Sequence, residues 1–324
     1  MIKYSYIFFL IITNIIIGKE LPIIEIKLSG LITNPKQEIS GMDWFQKRLF
    51  LLPENQGGYL FSFDKFELMK AINSQNKNNK PLTPKQTRFE TPDYKSLIPG
   101  FEGFEAISFY NNNVYISLEA ENNGIMQCYI VWGKIDSKTY EVSIPEENLI
   151  QINTPIQLTN MTYETIVNAN DNLYIIYEAN GANLQKTVSQ KVLSFNNNDI
   201  SEISFPSIEY RITDATKVDS ENKFWCINYF WPGDKKLLNP SSDNIFKKTK
   251  KGNSHQNSEI VERLIEFEIK NNQIVLSDKD PIQIVLDDKD SRNWEAIARL
   301  DNKGFLIATD KYPRMILGFI PVKN

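Results

Sequence analysis

Oxygen-bearing side chains recur at a regular spacing in five segments of this 324-residue chain. The residues that open these segments are Ser40, Glu105, Glu164, Asp214 and Glu295. The residues that close them, 14 positions later or 15 in the last segment, are Glu54, Glu119, Glu178, Asn228 and Asp310. Carboxylates that converge raise one another's pKa, and oxygen is the ligand atom that Ca²⁺ prefers. The pattern therefore indicates cation binding or acid–base chemistry.

Each segment has the pattern of two β-strands joined by a tight turn. Residues 105–119, for example, place the apolar-rich runs AISFY and VYISL on either side of the turn NNN. Because antiparallel strands return the chain to its starting end, opening and closing residues should become neighbours. Further strand-like runs follow the segments, among them YLFSFD, KVLSFN and ILGFIPV, and no stretch has the period of a long amphipathic helix. The sequence predicts an all-β fold.

Repetition of one unit five times favours a single β-propeller. We expect five blades, with six as the alternative. If the opening strand of each blade lies nearest the axis, both sets of oxygen-bearing residues gather around one mouth of the central channel. The early run PIIEIKLSG is expected to pair beside ILGFIPV and to close the ring, which leaves no exposed sheet edge.

The two sets of residues suggest two roles. The opening residues, Ser40, Glu105, Glu164, Asp214 and Glu295, are the predicted metal ligands, and Ca²⁺ is the predicted cofactor. The closing acids Glu54, Glu119, Glu178 and Asp310 are the candidate catalytic residues, either as acid and base or as supports for the ligands. The alternative is that both sets only bond to backbone amides of neighbouring blades.

Three basic residues near the predicted mouth are candidates for substrate binding. Lys311 and Arg314 follow Asp310, and Arg211 precedes Asp214. Such side chains bind the phosphate or carboxylate of a substrate. The alternative is that they balance the charge of the acidic rim.

The composition excludes several kinds of chemistry. The only histidine, His255, lies in a polar run, which argues against a Ser-His-Asp triad, a Cys–His dyad and a site with several histidines. The 36 Lys and Arg residues against 40 Asp and Glu give a net charge of −4, which argues against a nucleic-acid partner.

The beginning of the chain predicts export. Residues 1–19 are expected to be a signal peptide, and residues 20–324 the propeller domain, because Lys3 precedes an apolar run shorter than the roughly 20 residues of a membrane span. An uncleaved anchor is the alternative. We expect a secreted or periplasmic protein with no membrane span after cleavage. Cys128 and Cys226 lie two repeats apart, so we expect buried free thiols.

Two polar stretches interrupt the repeats. Residues 235–258 are rich in Lys, Asn, Ser and Asp, and they are predicted to be a solvated insertion and a mobile lid. Residues 75–85, which include QNKNNK, are predicted to be a second loop.

Two known groups of propellers share features with these repeats. The runs ISGMDWFQKRLFLLP, FEAISFYNNNVYISLEAE and EAIARLDNKGFLIATD resemble the repeat of secreted propellers of the esterase-like phytase and SdiA-regulated families. One oxygen ligand per blade is similar to the calcium-activated nucleotidase (apyrase) family, a five-bladed propeller with a central calcium. That family's pattern of Ser, Glu, Glu, Ser, Glu would fall on the five opening residues, with Asp214 in place of the second Ser. Its acidic Asp-Asp-Arg-Thr-Gly stretch is replaced here by PENQGG.

These observations predict an exported calcium-binding β-propeller that hydrolyses a phosphoester with the help of the metal. A glycosidase that uses a carboxylate pair is the second enzymatic option. The alternative to both is a non-catalytic propeller that binds a ligand or protein and keeps calcium for stability. The expected partner is a small phosphorylated molecule or a protein or glycan ligand, and the chain is expected to be a monomer.

Overall fold

The computed structural model describes residues 18–55, 57–74, 80–288 and 291–322, and within them the main strands form five antiparallel units. Unit 1 comprises Ile39–Phe45, Arg48–Pro53, Tyr59–Asp64 and Lys85–Glu90. Unit 2 comprises Phe101–Tyr110, Asn113–Asn122, Ile125–Ile135 and Leu149–Asn153. Unit 3 comprises Thr165–Ala169, Asn172–Ile176, Ser189–Ser194 and Ile200–Ser204. Unit 4 comprises Arg211–Ala215, Lys223–Phe230, Val261–Lys270 and Gln273–Leu276. Unit 5 comprises Trp294–Leu300, Gly304–Thr309, Leu317–Pro321 and, from the other end of the chain, Ile24–Ile26.

Shorter elements connect these units. Three short strands, Glu20–Leu21, Val142–Ser143 and Ile282–Ile284, pair at their outer edges. The helices are α1 (Lys65–Asn73), α2 (Tyr94–Leu97), α3 (Lys235–Leu238) and α4 (Asn244–Lys248), with 3₁₀ turns at Leu31–Thr33 and Pro232–Asp234. In the described part of the chain, no helix is long and apolar enough to cross a membrane.

Asparagine and aspartate make the first hairpin of most units possible. Asn111, Asn222 and Asp301 have φ values of 52°, 60° and 51° at these turns, and in unit 3 both Asn170 and Asp171 are left-handed. Asn and Asp tolerate this region better than other residues with side chains, and tight hairpins require it. The polar clusters between apolar runs therefore fix where each hairpin reverses.

The five units close into a ring, with a hydrophobic core between each neighbouring pair. The first strand of each unit contacts the first strand of the next, and that of unit 5 contacts that of unit 1. Five apolar clusters lie between units 1 and 2, 2 and 3, 3 and 4, 4 and 5, and 5 and 1. Cys128 and Cys226 are buried in two different clusters as free thiols, as expected.

The prediction of an all-β propeller is confirmed, and the ring is closed in the expected way. Ile24 pairs with Phe319 and Ile26 with Leu317, so the early run forms the outer strand of the last unit. The two ends of the chain therefore hold one sheet together, which protects an edge that would otherwise be open. Residues 1–17 of the predicted signal peptide and 75–79 of the second predicted loop lie outside the described residues.

The insertion at residues 235–258 is docked on the propeller, which corrects the prediction of a mobile lid. Asp243 accepts hydrogen bonds from Nη1 (2.7 Å) and Nη2 (3.2 Å) of Arg263, a fully buried side chain. His255 is also fully buried, and its Nδ1 lies 2.6 Å from Oε1 of Glu20. Breaking a buried ion pair of this kind costs free energy, so these contacts hold the segment on the propeller. Its polar composition alone was therefore not a sign of mobility.

Candidate functional site

The opening residues lie at β-bulges in the first strands. In unit 1, Ile39 pairs with Pro53 and Gly41 with Leu52, so Ser40 has no partner in the ladder. Glu105 and Glu295 are left out of the ladder in the same way in units 2 and 5. A bulge re-aims one side chain of a strand, and propellers and barrels often carry bulges near functional sites.

In unit 3 the backbone N–H of Glu178 donates to the carbonyl of Thr162 at 3.0 Å, while Thr165 pairs with Ile176. Two residues, Tyr163 and Glu164, therefore lie opposite one. Glu164 takes the same place in its unit as Ser40 does in unit 1.

Unit 4 corrects the predicted ring at one position. Ile212 pairs with Asn228 and Ala215 with Cys226, so Thr213 and Asp214 lie opposite one residue, and side-chain hydrogen bonds identify Thr213 as the counterpart of Ser40. Thr213 Oγ1 donates to the carbonyl of Trp294 at 2.6 Å, and Ser40 Oγ donates in the same way to the carbonyl of Phe104 at 2.5 Å.

Asp214 has a structural role instead. Its Oδ2 accepts the backbone N–H of Ile297 in unit 5 at 2.7 Å, and the side chain is 2% exposed. This is the alternative role considered for such acids, a bond to the backbone of a neighbouring blade. The residues at the bulges, here called the inner ring, are Ser40, Glu105, Glu164, Thr213 and Glu295.

The closing residues form a second set beside the inner ring. Glu119 pairs with Gly103, Tyr229 pairs with Arg211, and the N–H of Asp310 donates to the carbonyl of Asn293 at 3.2 Å. Tyr229 therefore takes the place predicted for Asn228 in unit 4. The second set, here called the outer ring, consists of Glu54, Glu119, Glu178, Tyr229 and Asp310.

Arg211 lies among the carboxylates of both rings. Its Nη2 is 3.6 Å from Oε2 of Glu164 and 3.5 Å from Oε1 of Glu295, and its Nε contacts Oε1 of Glu178. Burial raises the pKa of Glu164 to about 7, against the opposing effect of the guanidinium. Glu295 has a pKa well above its ordinary value, first because of burial and then because of Glu164. Arg211 is therefore a counter-charge within the rings.

The remaining acids of the rings are also held close to one another. Glu105 has a strongly raised pKa because it is buried and faces Glu119, Glu54 and other acids. Burial, followed by a hydrogen bond to Glu38, raises the pKa of Glu54 to about 8. A Cβ on Gly103 would lie 2.5 Å from Cγ of Glu54, so only glycine leaves room for this side chain.

Two further predicted residues have defined partners. Oε2 of Glu119 accepts a hydrogen bond from Oγ1 of Thr162 at 2.8 Å, although burial raises the pKa of this carboxyl well above its ordinary value. Lys311 Nζ donates to Oε2 of Glu38 at 2.7 Å. Lys311 is thus placed beside the outer ring through Glu38.

Arg314 does not join the other predicted residues. Its Nη2 donates to Oε2 of Glu25 at 2.7 Å, and Glu25 lies on the outer strand of unit 5. Both side chains are largely exposed, at 58% and 44%. The position directly after the Asp310 turn suggested the mouth, but the chain there has already turned towards the outer strand.

The described residues do not form a metal centre as they are arranged. Within residues 18–55, 57–74, 80–288 and 291–322, no group of three or more His, Cys, Asp or Glu side chains is arranged to hold an ion. The hydroxyls of Ser40 and Thr213 are engaged with backbone carbonyls. Arg211 supplies positive charge beside two of the predicted ligands, where the sequence had predicted a cation.

A cavity of about 580 Å³ lies next to Arg211, between units 4 and 5. This volume is within the range of about 300–1,000 Å³ that is typical of small-molecule sites. The residues that line it are Arg211, Tyr229, Trp231, Asp234, Ser291, Asn293, Tyr312 and Pro313. Of these, only Arg211 was a predicted site residue. Trp231 and Asp234 lie in the turn WPGD after a strand of unit 4, and this aromatic–Pro–Gly–Asp sequence was the available signal.

Two aspartates at this cavity have different surroundings. Burial raises the pKa of Asp234, and Arg211 opposes the shift. Burial also raises the pKa of Asp310, but this carboxylate accepts the N–H of Tyr312 at 2.6 Å and Nδ2 of Asn293 at 3.0 Å. Both aspartates lie near enough to Glu164 to raise its pKa. Burial thus raises the pKa of both carboxyls, and the shift is opposed by Arg211 at Asp234 and by hydrogen bonds at Asp310.

Comparison with known proteins gives a likeness of fold. No family model and no curated protein matches this chain. An exo-1,5-α-L-arabinanase from a bovine ruminal metagenomic library is similar in structure, with a TM-score of 0.51 and 11% identity over 91% of this chain and 95% of its own. A Cellvibrio cellulosa α-L-arabinanase complexed with arabinohexaose has a TM-score of 0.48 and 11% identity, over 87% of this chain and 91% of its own. At such identities the likeness concerns the fold.

The names of the similar structures do not agree with the functions predicted from the sequence. A similar structure with a TM-score above 0.5 is that of an exo-1,5-α-L-arabinanase, which cleaves glycosidic bonds and not phosphoesters. The prediction of a metal-dependent phosphoester hydrolase, and its alternative of a non-catalytic propeller with structural calcium, are wrong on this comparison. The ranking of phosphoesterase above glycosidase is wrong for the same reason. It rested on oxygen ligands and basic residues, and one of those basic residues, Arg211, is already paired with carboxylates.

Proposed function

We propose that this chain is a glycoside hydrolase that binds a sugar in the cavity between units 4 and 5. The observation that carries the proposal is the pair of aspartates there: Asp234 lines the cavity, and Asp310 is hydrogen-bonded to Asn293, which also lines it. Glycoside hydrolysis requires two carboxyl groups, one protonated and one ionised. Because one structurally similar enzyme is an exo-1,5-α-L-arabinanase, arabinan is the first polysaccharide to test.

The two aspartates are assigned different roles by their surroundings. Burial raises the pKa of Asp234 although Arg211 opposes the shift, and in the described part of the chain no hydrogen bond to its carboxylate adds to that opposition, so we assign it the role of general acid. Asp310 accepts two N–H bonds, which favour the carboxylate. It is suited to be the general base or nucleophile.

The two aspartates then divide the reaction between them. Asp234 gives its proton to the glycosidic oxygen as the bond from this oxygen to C1 breaks, and the leaving sugar departs as an alcohol. Asp310 either takes a proton from the water that attacks C1 or attacks C1 itself, in which case water later releases the sugar. Positive charge that develops on the sugar ring is stabilised by ionised Asp310, while Arg211 holds the nearby glutamates in place.

Chromogenic glycosides with different leaving groups test this assignment. Asp310→Asn should reduce hydrolysis of nitrophenyl glycosides by about 10²–10⁴-fold, the usual contribution of an acid–base group. Asp234→Asn should reduce hydrolysis of natural arabino-oligosaccharides by a similar factor. It should spare dinitrophenyl glycosides, because that leaving group departs without a proton.

Glu67→Gln is the matched control, since Glu67 is an exposed acid on α1, outside the site. It should leave every rate unchanged. Wild-type protein that releases no sugar from α-L-arabinosides, β-xylosides or their oligosaccharides would contradict the proposed function. Equal losses in Asp234→Asn on both leaving groups would contradict the role of Asp234 alone.

We also propose, as predictions that stand apart from the reaction, a calcium ion at the inner ring and export from the cell. Calcium is supported by the three glutamates and two hydroxyl residues of that ring, although Arg211 would have to leave Glu164 and Glu295 to make room for it. Export is supported by the apolar run near the start of the chain. A glycan is then the proposed partner.

A further inference from the structure

Two exposed aromatic side chains lie at the same cavity. Trp231 is 51% exposed and Tyr312 is 60% exposed. They come from different units, since Trp231 follows the second strand of unit 4 and Tyr312 lies between the second and third strands of unit 5. Single exposed aromatics are common on protein surfaces, but two that line one cavity mark a binding site.

The indole of Trp231 and the backbone of Tyr312 have defined contacts although both side chains face solvent. A Cβ on Gly233 would lie 2.1 Å from Cζ3 of Trp231, so the indole lies directly over the glycine backbone and a larger residue there would displace the ring. Tyr312 is held by its own backbone, which donates to Asp310 at 2.6 Å and accepts from the N–H of Asn293 at 3.1 Å. Side chains that are fixed before binding lose less conformational entropy when a ligand arrives.

The cavity also carries polar groups that suit a ligand with hydroxyls. Ser291, Asn293 and Asp234 line it, and the hydroxyl of Ser291 lies 2.8 Å from that of Tyr229. A sugar ring has a C–H face that packs on an aromatic ring and hydroxyls at its edge that need hydrogen-bond partners. The cavity offers both.

The charge at the cavity favours a neutral sugar. Arg211, the cation that lines the cavity, already faces Glu164, Glu178 and Glu295, and Asp234 adds a further acid. Because the guanidinium of Arg211 is already engaged by three carboxyls, a uronic acid or a phosphorylated sugar would have to compete with them for this cation.

We propose that Trp231 and Tyr312 form an aromatic clamp on the sugar ring, and that the substrate is a neutral oligosaccharide. This inference rests on the proposed function for its choice of ligand, but it concerns binding and can be tested without turnover. The clamp binds sugars of any linkage that present a C–H face, and the hydroxyl-binding residues select among them.

Calorimetric titration with three probes tests the clamp: arabinotriose, xylotriose and trigalacturonic acid. Trp231→Ala and Tyr312→Ala should each raise the Kd of a neutral trisaccharide that the wild type binds by about tenfold, the effect of roughly 1.4 kcal/mol. Trp231→Phe should restore part of the affinity, because it keeps an aromatic face. Phe66→Ala is the control, since Phe66 is a 76% exposed aromatic on α1. It should leave Kd unchanged.

The outcomes separate the clamp from the proposed function. Unchanged Kd values in both alanine variants, tighter binding of trigalacturonic acid than of the neutral sugars, or no binding of any probe would overturn the clamp. Release of sugar from the same probes is measured in parallel. Wild type that cleaves them while Trp231→Ala keeps its affinity would overturn only the clamp. Wild type that binds through the aromatics but cleaves nothing would overturn only the glycosidase.

Discussion

At the scale of single residues, the inner ring shows how much a spacing can predict. Ser40, Glu105, Glu164 and Glu295 were found by the repeat, and the structure places each at a bulge. The fourth position failed because two oxygen-bearing residues, Thr213 and Asp214, are adjacent there. Choosing Asp214 kept the spacing of 14 found in the other units. In the structure, the inner-ring and outer-ring positions of unit 4 belong to Thr213 and Tyr229, which are 16 positions apart. A spacing rule cannot detect a hairpin that is two residues longer.

The positive charge of Arg211 should contribute strongly to the free energy of unfolding, because it lies among the buried carboxyls of the two rings. Arg211→Met leaves Glu164, Glu178 and Glu295 without their counter-charge, and removing one partner of buried charges typically costs about 3–5 kcal/mol. The loss should be largest at high pH. The folded pKa of Glu164, about 7, exceeds its ordinary value of 4.5, so the folded state binds more protons between these values and loses stability as the pH rises through 7.

Urea unfolding at pH 5 and pH 8 measures this effect. Arg211→Met should lose more free energy of unfolding at pH 8 than at pH 5, because protonated glutamates need no counter-charge. Arg88→Met is the control, since Arg88 forms an exposed pair with Glu90 at 3.2 Å, and exposed pairs contribute at most about 1 kcal/mol. An equal loss at both pH values would show that Arg211 acts through packing and not through charge.

At the scale of elements, the insertion before the third strand of unit 4 positions part of the cavity. Trp231 and Asp234 lie in the turn directly before it, and α4 lies within it. Ser241 donates to Glu209 through its hydroxyl at 2.6 Å, which fastens the segment to the end of unit 3. The insertion itself was predicted, but its docking was not, because it has no counterpart in the other repeats and its polar residues are indistinguishable in sequence from those of a solvated loop.

The N-cap of α4 provides a test of this anchoring. Asp243 caps α4 through the N–H groups of Ile245 and Phe246, and it also pairs with the buried Arg263. Asp243→Ala should therefore lower the free energy of unfolding by about 3–5 kcal/mol and expose the insertion to protease. Because Trp231 and Asp234 would shift, the KM of the proposed substrate should also rise.

A second N-cap is the matched control for this variant. Asp64 caps α1 through the N–H groups of Phe66 and Glu67, in the same geometry but without a buried arginine. Asp64→Ala should cost only the usual about 0.5–2 kcal/mol of a cap and leave KM unchanged. If the two variants lose the same free energy, the pair with Arg263 does not stabilise the insertion.

At the scale of the whole molecule, the fold was more predictable than the site. Alternation of apolar residues, turn-forming asparagines and a repeated segment define hairpins, and these signals are local in sequence. The closing strand at Ile24–Ile26 was also predictable, because a propeller needs a partner for its last blade. The cavity was not, since its walls come from turns of two different units, Trp231 to Asp234 and Tyr312 to Pro313, which become neighbours only when the ring closes.

Calcium at the inner ring is a prediction about the stability of the entire ring. An ion that binds only the folded chain adds about 2.7 kcal/mol at a hundredfold excess over its Kd. Chelation should therefore lower the melting temperature of the wild type. Arg211 competes for Glu164 and Glu295, so Arg211→Met should melt with a larger difference between calcium and chelator than the wild type does.

Two variants locate the ion within the rings. Glu105→Gln removes a carboxylate of the inner ring and should abolish the difference between calcium and chelator. Asp214→Asn should lower the melting temperature equally in both conditions, because this carboxylate holds the N–H of Ile297 and lies one residue beyond the ring position of Thr213. Loss of the calcium effect in Asp214→Asn would restore the ligand set expected from sequence. Identical melting temperatures of the wild type with calcium and with chelator would contradict a calcium ion in the ring. Arg211 would then be the cation that the ring binds.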